Sequence, residues 1–287
     1  MRTLPSRRRG FTLIELLVSM AITTMIVLVL AMVTSTALDG WRSSRNEVRA
    51  TRQAKAAIEM INRDLEGLVI RPGNTFQWLD IKAATGTALP GPANNRSANA
   101  AKMIFFTAAT DRYEGGAGLG DISAVVYELE YQDPIDAANQ FPTFALYRRL
   151  INPDETFASL LSQANLTAPP VAQASATERA NFVCENIHQF TVTFIIQTTA
   201  TGAAATTKRV VVQSNGAVDS LKVFGNRLEV QGAIDSGRLR GVELSLSVLT
   251  DSALQTLKVA GFSAAKQAEF LGRNSFQFSK TIEIPQP

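Results

Sequence analysis

Few side chains in these 287 residues could carry out chemistry. There is one histidine, His188, and one cysteine, Cys184. A single histidine argues against Ser-His-Asp and Cys-His relays and excludes a histidine-rich metal cluster. A lone cysteine permits no internal disulfide and leaves the redox compartment open. Cys184 reads as a small apolar side chain at a strand edge, and His188 as a satisfied sheet residue rather than a ligand. The run Gly115-Gly116-Ala117-Gly118-Leu119-Gly120-Asp121 lacks the Gly-Lys-Ser/Thr ending of a phosphate loop, and no helical pattern follows it, so it reads as a turn. Asp133, Asp136 and Asn139 could offer oxygens to calcium, but their spacing is not that of an EF-hand loop and a hairpin tip accounts for them. Asp64 and Glu66 read as helix-surface carboxylates paired with Arg63 or Arg71. No catalytic residue, no metal site and no cofactor is expected, and the chain reads as a non-enzyme.

The carboxylate in an unusual place is Glu15, at the entrance of an apolar run. From Leu16 to Leu38 there are 23 residues without a charge, which as a helix would span roughly 34 Å, enough to cross a bilayer. A charge at the edge of such a helix is costly unless it reaches water or a partner, so Glu15 is either a snorkelling residue or a functional one. The run is flanked by Arg7-Arg8-Arg9 and by Asp39-Gly40-Trp41-Arg42, with Trp41 at interface depth. It is longer than the apolar region of a secretory signal and has no clear small-x-small cleavage site at its end. Arg42, Arg45, Arg49, Arg52 and Lys55 offset the leader arginines, so charge counting alone leaves the orientation open.

Composition places the rest among folded chains, with 46% apolar and 18% charged residues. The formal charge of +3 owes everything to Arg2, Arg7, Arg8 and Arg9; without these four it becomes −1. No basic face remains for a nucleic-acid backbone, and no nucleic-acid partner is expected.

The string Arg9-Gly10-Phe11-Thr12-Leu13-Ile14-Glu15 resembles the processing signal of type IV prepilins and type II secretion pseudopilins. The resemblance implies that prepilin peptidase cuts between Gly10 and Phe11, that Phe11 becomes the N-methylated first residue, and that Glu15 acts in assembly. It also implies a cytoplasmic N-terminus and a body beyond the bacterial inner membrane, in the periplasm.

Past the span, Ala54, Ile58, Ile61, Leu65 and Leu68 recur at three and four residues while Lys55, Glu59, Arg63 and Glu66 take other faces, predicting an amphipathic stem. No proline occurs between Pro5 and Pro72, so Phe11 to Leu68 could form one rod of roughly 87 Å, with Arg71-Pro72-Gly73 as the stop. Arg42, Arg45, Arg49 and Arg52 share one side of it, a stripe for solvent, a subunit contact or lipid phosphates. Beyond residue 73 the period changes to two. Strands are predicted at Met103–Ala108, Val126–Tyr131, Phe144–Leu150, Phe190–Gln197, Val242–Val248 and Phe276–Ile284. Helical crossovers between them are mostly missing, so the sheet should be antiparallel. One late helix is expected from Ser252 to Phe270, weakened at Gly261, and surface loops at Gly86–Ala100, Gln163–Ala180 and Thr198–Thr207.

The expected fold is therefore α+β, a long N-terminal transmembrane and stem helix packed on an antiparallel sheet. Its divisions are a leader that is removed (1–10), a transmembrane helix (11–38), a stem (39–72) and a β-rich periplasmic body (73–287). Ile61-Asn62-Arg63-Asp64-Leu65 with Arg71, Val125-Val126-Tyr127-Glu128-Leu129, Leu146-Tyr147-Arg148-Arg149, Cys184 to Phe190 and Gly241 to Leu246 are similar to segments of J-type minor pseudopilins. The prepilin-like proteins of the Verru_Chthon cassette group are a narrower likeness. These resemblances imply a structural subunit of a type II secretion pseudopilus. Its partners would be prepilin peptidase, other pseudopilins or pilins, the inner-membrane assembly platform and membrane lipid. The alternatives are a minor pilin of a type IV pilus, serving adhesion or DNA uptake, and an N-terminally anchored periplasmic enzyme.

Overall fold

The proline-free stretch folds as a single helix, α1 (Leu13–Glu66). The computed structural model describes residues 11–71, 73, 75–83, 101–108, 120–136, 138, 140–166, 179–198, 205–214, 218–225, 227–235, 237–259 and 261–284. Gly10, Asn139, residues 84–100, residues 115–119 of the glycine-rich run and most of 163–180 lie outside this set. The chain divides into two compact units, one up to Glu47 and one from Val48 onward.

In the first unit every large apolar side chain from Phe11 to Leu38 is exposed. The second unit contains the rest of α1, whose buried residues begin at Ala50. Ala54, Ile58, Ile61, Leu65 and Leu68 are buried, as the spacing predicts, and Lys55, Glu59, Arg63 and Glu66 are exposed. Each of Ile58, Ile61 and Leu65 contributes about 1.5–3 kcal/mol by leaving water. Close packing ends the helix before Arg71-Pro72-Gly73. A Cβ on Gly67 would lie 2.8 Å from the Thr107 hydroxyl, the Gly67 carbonyl accepts from the Ala108 N–H at 2.8 Å, and Leu68 bridges Thr107. The chain then runs extended along the strand that contains Thr107.

The strands are β1 (Leu79–Ala83), β2 (Ala101–Thr107), β3 (Ser123–Gln132), β4 (Thr143–Ile151), β5 (Phe182–Cys184), β6 (Ile187–Thr198), β7 (Thr206–Val212), β8 (Ser220–Val223), β9 (Leu228–Val230), β10 (Ala233–Asp235), β11 (Arg238–Leu249) and β12 (Ser275–Glu283). Every pairing among the described residues is antiparallel. They form two sheets, in the orders β10-β9-β8-β1-β2-β3-β4-β5 and β12-β11-β6-β7. One core joins α1 to both: Ile61 and Leu65 belong with Phe105 and Tyr127 of the first sheet and with Phe190, Phe194 and Leu244 of the second. All the long expected strands are present. β1, β8, β9 and β10 are too short for a period of two to mark them.

The one-turn α2 (Pro153–Glu155) follows β4, and two helices, α3 (Asp251–Val259) and α4 (Ala264–Asn274), replace the one expected from Ser252 to Phe270. Gly261 lies between them, where a glycine costs a helix roughly 1 kcal/mol relative to alanine. Leu254 and Leu257 of α3 pack with Phe262, Phe270 and Leu271 in a small second cluster.

Candidate functional site

Glu15 has a partner three residues away. The backbone N–H and the hydroxyl of Thr12 both donate to Glu15 Oε2 at 2.9 Å, and the Glu15 N–H donates to Thr12 Oγ1 at 3.4 Å. This is a capping box: the first helical N–H groups have no acceptor within the helix, and Thr12 and Glu15 satisfy two of them reciprocally. Thr-x-x-Glu ahead of an apolar run is its sequence mark, so this role of Glu15 was legible locally beside the snorkelling and assembly readings. Phe11, next to it, is 88% exposed.

Four hydroxyls of the apolar stretch are also satisfied within the helix. Ser19 donates to the Leu16 carbonyl, and Thr23, Thr24 and Thr36 donate to the carbonyls of Ser19, Met20 and Met32, all at 2.8–3.0 Å. A hydrocarbon environment supplies no partner for a free hydroxyl, and these four need none. The helix is long and apolar enough to cross a membrane, and none of that stretch is buried.

The four arginines of the stripe are all exposed, and three of them have partners among the described residues. Arg42 lies 3.8 Å from Asp39, and Arg45 stands 5.5 Å over the Trp41 ring. Arg49 reaches the body, 2.5 Å from Glu185 and 4.0 Å from Asp251. Arg52 is exposed and makes no ion pair among the described residues.

Asp64 is the main correction. It is not a surface carboxylate paired with Arg63 or Arg71; it is 2% exposed and lies against β3 and β4. Arg148 donates to it through two guanidinium nitrogens at 2.7 and 2.9 Å, and the Tyr127 hydroxyl donates at 2.5 Å. Tyr127 and Arg148 are cross-strand partners, so they share one sheet face and meet the helix together. Burial, and then the Asp64 charge, push the Tyr127 hydroxyl well above the ordinary tyrosine range. Arg71 instead donates to the Leu161 carbonyl at 2.7 Å and lies 4.2 Å over the Phe76 ring. Glu66 accepts from the Asn62 amide at 2.7 Å. An inward-facing aspartate in a stem whose other buried residues are, Asn62 apart, small or apolar was the available signal, but it names no partner.

The remaining candidates are dispersed. Cys184 is buried at the end of edge strand β5, where loss of water pushes its thiol up to about 12. His188 is half-buried in β6, and burial lowers its pKa; its Nδ1 has no hydrogen-bond partner among the described residues, so there it is a sheet residue but not a satisfied one. Asp133 accepts from the backbone N–H groups of Ile135, Asp136 and Phe141 at 2.9–3.0 Å, which makes it the fastener of the β3–β4 loop. Among the described residues no group of three or more His, Cys, Asp or Glu side chains could hold a metal ion.

With this geometry in view, the comparisons with known proteins fall on the N-terminal segment. Residues 5–37 match the family model described as "Prokaryotic N-terminal methylation motif", so the chain carries a prepilin-type N-terminus. No curated protein matches. A solved type IV-like pilin from Thermus thermophilus is similar at 10% identity and a TM-score of 0.36, over 83% of this chain and 97% of that one. Long apolar helix and antiparallel sheets together make an α+β fold.

Proposed function

We propose that this chain, of the type IV prepilin and pseudopilin family by its N-terminal segment, is a structural subunit. It is cut after Gly10, methylated on Phe11 and assembled through its helix with other pilin-type subunits. The observation that carries the reading is the methylation motif at residues 5–37, which runs into an exposed apolar helix. Cleavage at Gly10 would leave the capping box intact, because Thr12 keeps its backbone N–H. In this reading residues 1–10 are the leader, 11–38 span the inner membrane with the N-terminus in the cytoplasm, 39–72 are the stem and 73–287 the periplasmic body. Prepilin peptidase, the assembly platform and lipid are its partners, and no enzymatic role is assigned.

The system we propose is type II secretion, with the chain as a minor pseudopilin. The J-type segments support it, and they include Asp64 with Arg148, here brought together as the attachment of stem to body. Intact-mass measurement of the membrane-extracted protein tests processing: the expected chain begins at N-methyl Phe11, and Gly10→Val should stay uncut. Met1 retained on the wild type would overturn the reading. Deletion of the gene should stop export of secreted proteins while surface pili persist; the reverse would assign the chain to a type IV pilus.

A further inference from the structure

A cavity of about 460 Å³ opens in the body between the β3–β4 loop, the β5–β6 turn and the start of α3. Its walls hold four carboxylates, of Asp133, Asp136, Glu185 and Asp251, against one cation, Lys258. That ammonium donates to the Pro142 carbonyl at 2.5 Å. On the lip, Ile135 and Phe141 are 66% and 76% exposed, and the three N–H bonds to Asp133 hold the loop that presents them. Opposite, Asn186 takes a left-handed backbone (φ 58°), and its amide donates to Asp251. The pocket thus combines an acidic wall with a built apolar lip.

Its chemistry is already displayed at one edge, where the guanidinium of Arg49 meets Glu185 and Asp251. Asp136 has no such cation among the described residues; its Oδ1 accepts from the Ala138 N–H at 2.9 Å. A complementary surface occurs on the same molecule. Val48, Arg52 and Ala56 recur every four residues along α1 and are all exposed, so one helix face offers an apolar residue, an unpaired guanidinium and a small residue in line.

We propose that this cavity receives the stem of a second copy of the chain, with Arg52 of the incoming copy against Asp136 and its Val48–Ala56 face under Ile135 and Phe141. The proposal rests on the reading that the chain assembles through its helix, and it adds the contact that fixes the neighbour's body. Pocket and stem are different patches, so the contact is heterologous. Opposite charges steer the approach, and the apolar lip retains it.

The test uses the full chain in membranes as two tagged copies, one carrying Ile135→Cys and the other Ala56→Cys, joined by a short bis-maleimide. A Thr24→Cys pair in the apolar helices reports association of the helices independently. The pocket product should form, fall about tenfold with Arg52→Glu in the incoming copy, and return when Asp136→Arg accompanies it in the receiving copy. Both sites are exposed, and an unchanged circular dichroism spectrum checks that the body stays folded. A helix product without the pocket product would overturn the docking while leaving assembly standing; absence of both would overturn assembly and docking together. A pocket product indifferent to Arg52→Glu would overturn the charge pairing. Capture of Ile135→Cys by a different pilin-type chain, with none by the second copy, would overturn the choice of occupant.

Discussion

Asp64 and Arg148, 84 residues apart in the chain, form a two-pronged ion pair with side chains only 2% and 8% exposed. Tyr127 completes the site from the neighbouring strand, so one helix carboxylate is held from two strands. Removing one member of a buried pair leaves an uncompensated charge. Arg148→Met should therefore cost about 3–5 kcal/mol, and Tyr127→Phe about 1–2 kcal/mol. The double variant Asp64→Leu with Arg148→Met should lose much less than the sum of its single changes. Urea unfolding of a chain starting at Asp39 measures all of these, with circular dichroism first verifying that this fragment keeps its strand signal. A double-variant loss equal to the sum of the single losses would refute the pairing energetics.

Asp80 in β1 is 1% exposed, and among the described residues neither carboxylate oxygen has a hydrogen-bond partner. Burial raises its pKa above the ordinary 3.8, against the pull of Lys82 and Lys222. The folded state thus holds this proton more tightly than the unfolded one. Its stabilising contribution is complete below 3.8 and is lost as the pH rises through the folded value. Asp80→Asn should be the more stable protein at pH 7, with the gap closing as the pH falls toward that range. Unfolding midpoints across the pH series would show it, and a gap that widens in acid would contradict it.

Cys184 should resist modification while the body is folded. A thiol pushed up to about 12 holds almost no thiolate at neutral pH, and thiolate is the nucleophile. Iodoacetamide followed by mass spectrometry should label it only in denaturant. Labelling of the native protein at the denatured rate would show that β5 opens.

Glu15 has two separable roles to test. Glutamine can serve as glutamate does in a capping box, so Glu15→Gln should keep the helix start and remove only the charge. Glu15→Ala should lose both. If the charge assists assembly, crosslinking between helices of neighbouring subunits should drop to a similar extent in the two variants, with cleavage unaffected. If capping is its whole contribution, Glu15→Gln should crosslink like the wild type and only Glu15→Ala should differ.

What the sequence determined by itself lies in contiguous stretches, where backbone geometry turns spacing directly into structure. The uncharged run from Leu16 to Leu38, the Thr12–Glu15 cap and the stripe from Ala54 to Leu68 each depend on residues three or four apart, and a helix brings such residues together whatever follows. Alternation marked β3, β6 and β11 in the same way. Tertiary structure decided which of these elements meet. Asp64 could be seen on the stem's inner side, but nothing near it specifies an arginine 84 residues onward; that choice follows from the register that sets Tyr127 opposite Arg148. Arg49 likewise finds Glu185 across 136 residues only because β5 ends beside the stem. The division of the strands into two sheets, and the acidic cavity built from three separate turns, arise from the same closures over long loops, and no local period records them.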